Sequence, residues 1–135
     1  MTVIFPCAAL VIFALFFLYT GIVSFLQPTG FARSLSLEAI GRSGSVEIRA
    51  QYGGFFFAAA LSQASPLLGL ISVSTALIVA LVIFGGLIVG RIGGLFFRAE
   101  GQKITPMIRN LFWIDAAGTL IAAAGLLTTQ QGPYS

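Results

Sequence analysis

The chain has 135 residues, about one domain's length, of which 58% are hydrophobic and only 8% are charged. A soluble domain usually carries about 25% charged residues, so this composition excludes a fold covered on all sides by water, and the apolar excess must face lipid. The net charge is +3, and because the basic residues fall between apolar runs we assign them to the membrane surface rather than to nucleic acid.

The first apolar run covers residues 5–26 and contains no charged residue. It reaches the length of about 20 residues that a spanning helix needs, and it lacks the basic flank of a cleaved signal peptide, so we interpret it as a retained span. Pro28 and Gly30 end the run. Its single cysteine, Cys7, cannot form an internal disulfide and is expected to be a buried, inert thiol.

The connection after the first run has an amphipathic pattern. Its apolar side chains alternate with polar ones: Phe31, Leu35, Leu37 and Ile40 with Arg33, Ser34, Ser36, Glu38 and Arg42. A short helix lying in the membrane interface would use such a pattern. An irregular polar loop is the alternative, and the sequence leaves both open.

Three further apolar runs follow, at residues 47–64, 67–92 and 105–128. Ser65 and Pro66 separate the second run from the third, and Pro106 favours a helix start in the fourth. The runs are continuously apolar, unlike the alternating segments of about ten residues in a β-barrel. We therefore predict an all-α integral membrane protein, an up-down four-helix transmembrane bundle forming a single domain over residues 1–135.

All seven basic residues lie in or beside the first and third connections: Arg33, Arg42, Arg49, Arg91, Arg98, Lys103 and Arg109. With four spans these two connections share one face of the membrane. Because basic residues concentrate on the cytoplasmic side, we predict that both termini lie outside the cytoplasm.

Small residues at four-residue spacing predict close helix packing, since lipid provides no hydrophobic force between spans. They are Gly86, Gly90 and Gly94 in the third run, Ala50, Gly54, Ala58 and Ser62 in the second, and Gly118 and Ala122 in the fourth. We expect contacts within one bundle, and a seam between two copies of the chain is the alternative.

Charged residues inside the spans are costly unless they are paired or hydrated. Asp115 lies deepest, nine residues after Pro106, or roughly 13 Å along the helix. A carboxylate at that depth would be protonated or paired with a cation. We predict one polar cluster at the cytoplasmic half of the bundle: Glu47, Arg49, Tyr52, Arg91 and Asp115. This cluster either locks the bundle or lines a pocket for an anionic head group or small molecule.

The segment Glu-Ile-Arg-Ala-Gln-Tyr-Gly-Gly at residues 47–54 resembles the Arg-Ala-x-Tyr-Gly-Gly motif of a bacterial family of small four-span proteins. The Gly90–Arg91 pair also resembles that family, as does an acidic residue in the last span, where Asp115 replaces the more usual glutamate. The outline is more distantly similar to DoxX-like membrane proteins. The resemblance implies a bacterial inner-membrane protein and no particular activity.

The chain has no histidine and one cysteine, which excludes histidine-ligated haem, most zinc sites and Ser–His chemistry. We expect no cofactor and a non-enzymatic accessory or assembly subunit of a membrane complex, with lipid, other subunits or a second copy as partners. The alternative is a small transporter or a lipid or small-molecule binder that uses Arg49, Arg91 and Asp115. An enzyme acting on lipid, with Asp115 or Glu47 as acid or base, is the third candidate.

Overall fold

The computed structural model describes residues 4–97 and 103–130, which are helical apart from turns and contain no strand. Six α-helices follow one another, with a π-helical segment before α4 and a 3-10 turn after it. They are α1 Ile4–Leu26, α2 Pro28–Ser34, α3 Gly41–Ile48, the π segment Arg49–Gly54, α4 Phe55–Ala64, the 3-10 turn Ser65–Leu68, α5 Val73–Phe96 and α6 Pro106–Gln130.

Within the described residues, three helices are long and apolar enough to cross a membrane, namely α1, α5 and α6. The second predicted span differs from expectation. It is divided into α3, the π segment and α4, of eight, six and ten residues, and none of these alone reaches the length of a crossing. The part of the chain that the structure describes is therefore all-helical, with three candidate membrane spans.

The described chain separates into two compact units. Residues 10–71 form the first, which we call the α1–α4 unit. Residues 72–97 and 103–130 with residues 4–9 form the second, the α5–α6 unit. The functional residues of interest fall mainly in the α5–α6 unit.

Glycines allow two close approaches within the α1–α4 unit. A Cβ at Gly21 would lie 2.9 Å from the ring of Phe57, and a Cβ at Gly53 would lie 3.1 Å from the ring of Phe25. Since real Cβ contacts are almost never this short at Gly21, only glycine fits beneath the Phe57 ring. Each aromatic ring thus occupies the space that a missing side chain leaves on the facing helix, as is common between membrane helices.

The buried face of the second helical region differs from the predicted small-residue stripe. Ala50, Gly54 and Ala58 are exposed and Ser62 is partly exposed. The buried residues are instead Ile48, Gly53, Phe56, Ala59, Ala60 and Gln63. Two causes act together. The large Phe56 ring buries more apolar surface than an alanine. Across the π segment the successive buried positions Ile48 and Gly53 are five residues apart, whereas successive positions on one face of an α-helix are three or four residues apart.

The connections also differ from expectation. The first is neither one interfacial helix nor an irregular loop, because α2 ends at Ser34, Ser36 has a φ of +61°, and α3 begins at Gly41. The third predicted run starts later than residue 67, since Gly69 has a φ of +70° and ends the 3-10 turn. Helix α5 begins only after Ser72, whose side chain accepts a hydrogen bond from the backbone N–H of Thr75 at 3.0 Å and so caps the helix.

The α5–α6 contact places large side chains of α5 over glycines of α6. Leu77 contacts the position of a Gly125 Cβ at 3.1 Å, and Phe84 contacts that of Gly118 at 2.7 Å. Residue numbers rise along α5 as they fall along α6, so the two helices are antiparallel. Leu77 and Phe84 are seven residues apart, which is about two helical turns, and they therefore lie on one face of α5.

The glycine stripe of α5 does not make the predicted intramolecular contact. A Cβ at Gly86, Gly90 or Gly94 would meet no described atom within 4 Å. The helix packs through its large residues on another face, and the small residues that pack closely are on α6. A seam between two copies along this stripe remains a prediction.

Candidate functional site

Within the described residues, an ion pair joins the last turns of α5 to the first half of α6. A guanidinium nitrogen of Arg91 contacts the Asp115 carboxylate, and the two side chains are 23% and 3% exposed. Arg91 lies seven residues after Phe84, so it continues the α5 face that packs on α6. Asp115 lies one turn before Gly118 on the packed face of α6. The ion pair thus continues the face on which Leu77 and Phe84 contact α6.

Beyond the ion pair, α5 and α6 border a partly open cavity of about 820 Å³. Its lining comes from the last turns of α5 and from residues 103–113: Arg91, Gly94, Leu95, Lys103, Ile104, Ile108, Arg109, Phe112 and Trp113. The volume falls within the range of about 300–1,000 Å³ typical of small-molecule sites. The close packing at Phe84 and Gly118 therefore gives way to open space at this end of the helix pair.

Helical spacing explains why these side chains converge. Arg109, Phe112 and Trp113 stand at positions i, i+3 and i+4, so they share one face of α6. Arg91, Gly94 and Leu95 have the same spacing on α5. Because Gly94 has no side chain and no described neighbour within 4 Å of its Cβ position, it leaves the cavity open on the α5 side.

The charges of the cavity are unequal. Three cationic side chains line it, Arg91, Lys103 and Arg109. Asp115, which is not a lining residue, pairs with Arg91. Among the described residues, the structure gives Lys103 and Arg109 no carboxylate partner. Among residues 4–97 and 103–130, three cations and one carboxylate leave this cavity a surplus of two positive charges, and the other described lining side chains are aliphatic or aromatic.

Only part of the predicted polar cluster meets here. Arg91 and Asp115 come together, whereas the contacts of Arg49 lie inside the α1–α4 unit. Its Nε donates a hydrogen bond of 2.9 Å to the carbonyl oxygen of Phe25, and its guanidinium lies 5.9 Å from the centre of that ring. Arg49 therefore holds the π segment to the last turn of α1, where the carbonyls lack partners within the helix.

Glu47 and Tyr52 have local contacts as well. Glu47 accepts a hydrogen bond of 2.9 Å from the side-chain amide of Gln51. The Tyr52 ring packs on the ring of Phe31 in α2, with 5.2 Å between centroids. Through Arg49 and Tyr52 the motif at residues 47–54 therefore contacts α1 and α2. These contacts give the Arg and Tyr positions of the motif a structural role.

Several lining residues were not predicted from the sequence as members of a site, chiefly Lys103, Phe112 and Trp113. The available signal was the spacing of Arg109, Phe112 and Trp113 on one helical face, next to an open glycine-rich end of α5.

Residues 4–97 and 103–130 contain no group of three or more acidic, cysteine or histidine side chains that could hold a metal ion. No family model matches the chain, and no curated protein and no solved structure matches it. The resemblance of residues 47–54 to the four-span family stays a prediction.

Proposed function

We propose that the chain is a four-span protein of the bacterial inner membrane that binds an anionic amphiphile in the cavity between α5 and α6. The observation that carries this proposal is the combination of three cationic side chains with hydrocarbon and aromatic walls in one cavity. Arginine and lysine form charge-assisted hydrogen bonds with phosphate oxygens, and the apolar walls suit the first part of an acyl chain. Basic pockets between membrane helices on the cytoplasmic side commonly hold anionic head groups.

The fourth span in this proposal is the run α3, π segment and α4. These elements follow without a break from Gly41 to Ala64, and the residues at both junctions keep right-handed helical backbone angles. Such a run extends ~36 Å at the α-helical rise, which is enough for a hydrocarbon core of about 30 Å. Its first turns are polar and would lie in the head-group region.

The topology predicts that both termini face the periplasm. In a Cys7→Ser background, single cysteines introduced by Thr2→Cys and by Tyr134→Cys should both react with a membrane-impermeant maleimide in intact cells. Ser43→Cys, in α3 at the opposite face, should react only after the cells are lysed. Because an odd number of spans puts the termini on opposite sides, labelling of only one terminus would contradict the fourth span.

Trp113 offers a direct test of ligand binding, because it is the single tryptophan of the chain and it lines the cavity. Its side chain is 65% exposed, so lipids with brominated chains should quench its fluorescence. We expect brominated cardiolipin or phosphatidylglycerol to quench Trp113 at lower mole fraction than brominated phosphatidylcholine does. Gly94→Leu, which fills the cavity from α5, should weaken this preference about tenfold, equivalent to about 1.4 kcal/mol.

Gly90→Leu is the matched control, since Gly90 lies one turn earlier on α5, has equal space around it and does not line the cavity. It should bind like the wild-type protein. An equal anionic preference in the Gly94→Leu and Gly90→Leu variants would exclude the cavity as the binding site.

A role as an accessory subunit remains a second proposal, independent of the cavity. It is supported by the open glycine face of α5, where a Cβ at Gly86, Gly90 or Gly94 would have free space around it. Co-purification from native membranes in mild detergent tests it: a stoichiometric protein partner supports a subunit role, and recovery of the chain with lipid alone contradicts it.

A further inference from the structure

We infer that the cavity prefers a head group with two negative charges, and that Asp115 sets this preference by neutralising one of the three lining cations. The inference rests on the proposed binding function and specifies the ligand class. The matching chemistry is a phosphomonoester, whose charge near neutral pH is about −1.5 to −2, or two phosphodiesters carried by one lipid.

Charge balance in an apolar cavity carries the argument. Among the described residues, the lining side chains and Asp115 leave a surplus of two positive charges. Lys103 and Arg109 are exposed in the chain itself, and a bound lipid would cover them beside Leu95, Ile104 and Ile108. A head group with a single charge would then leave one cation uncompensated against apolar groups, which is unfavourable, so the dianion is the ligand that neutralises the site.

Asp115 does not line the cavity and acts through Arg91. The Arg91 side chain is 23% exposed and lines the cavity, while its guanidinium contacts the buried carboxylate. Arg91 thus contacts Asp115 on the side away from the cavity, and the ligand would contact Arg91 on the cavity side. Asp115 is therefore a positioning residue that fixes Arg91 and sets the net charge available to the ligand.

The first arm of the test compares head groups on the wild-type protein. Trp113 quenching is measured in bilayers that contain brominated phosphatidic acid, cardiolipin or phosphatidylglycerol against a background of phosphatidylcholine. We expect phosphatidic acid, cardiolipin or both to bind at least about tenfold more tightly than phosphatidylglycerol. Tight binding of phosphatidic acid alone assigns the site to a phosphomonoester, and of cardiolipin alone to paired phosphodiesters. Equal binding of all three lipids would overturn the inference.

The second arm tests the role of Asp115 by compensation. Arg109→Gln lowers the surplus from two charges to one, so the preference for dianionic lipid should fall to about twofold or less. Adding Asp115→Asn restores the surplus to two, and the preference should return to at least about fivefold. A purely structural Asp115 would not produce this recovery, so a double variant that is folded and still shows no preference would contradict the inference.

One further measurement separates the possible failures. Soluble glycerol 3-phosphate at millimolar concentration should not displace the brominated lipid. Displacement would assign the site to a free dianion and contradict the proposed lipid function, whereas equal binding of mono- and dianionic lipids contradicts only the charge preference.

Discussion

Replacing Asp115 by alanine is expected to destabilise the chain more than any other single substitution in α6. The side chain is 3% exposed and paired with Arg91, so its removal leaves a largely buried cation without its carboxylate. Removing one member of a buried ion pair typically costs about 3–5 kcal/mol. Thermal or denaturant unfolding in detergent, followed by circular dichroism, measures the loss.

The control for Asp115→Ala is a double change that removes both charges. Arg91→Met with Asp115→Leu substitutes apolar groups of similar volume for the ion pair, and such replacements are often neutral or stabilising. We expect it to recover most of the lost stability. Asn110→Ala, at an exposed position of α6, should have little effect. Equal stability of Asp115→Ala and Asn110→Ala would show that the ion pair does not hold the two helices together.

Replacing Gly118 by valine should have the next largest effect. A Cβ at Gly118 would lie 2.7 Å from the Phe84 ring, a buried side chain that is held within the helix contact and has little room to move. Forcing extra atoms into a packed interface typically costs about 1–3 kcal/mol. We expect a clear fall in the unfolding midpoint, with no change in helix content at low temperature.

Gly90→Val on α5 is the matched comparison, because both positions are helical glycines within candidate spans and only Gly118 has a ring against it. It should unfold within about 0.5 kcal/mol of the wild-type protein, as substitutions away from packed features usually do. A larger loss at Gly90 than at Gly118 would instead support a seam between copies along the α5 stripe.

Hydropathy was enough to predict the helices that can be identified from the length of an apolar run. Helices α1, α5 and α6 are long, predominantly apolar runs, and a run of that length in lipid must satisfy its backbone hydrogen bonds as a helix. The start of α6 at Pro106 was also predicted, and Asp115 lies nine residues further along that helix; its depth in a membrane stays a prediction.

Contacts were less predictable, since a small-residue stripe is the same in sequence whether it packs or faces lipid. Both Gly90 and Gly118 suit a close contact, but Gly118 has Phe84 opposite it and Gly90 has open space. The pairing of Arg49 shows the same limit. A long cationic side chain can reach an acid or a helix-terminal carbonyl equally well, and the carbonyl of Phe25 is the partner it takes.

The cavity could be predicted only in part. Arg91 was expected beside a polar site, but the cavity exists because α5 ends in glycines where α6 carries Phe112 and Trp113. That is a property of two helices facing each other, and neither run shows it alone.

The π segment Arg49–Gly54 also bears on how related chains should be aligned. A π turn accommodates one residue more than the α turn it replaces, so it is the structural equivalent of a single-residue insertion inside a helix. A chain with a regular α-helix here would keep Ile48 and Phe56 on the same buried face only if it were one residue shorter between them. An ungapped alignment through this helix would therefore misplace one of its two halves by one position, and a one-residue gap belongs between residues 49 and 54.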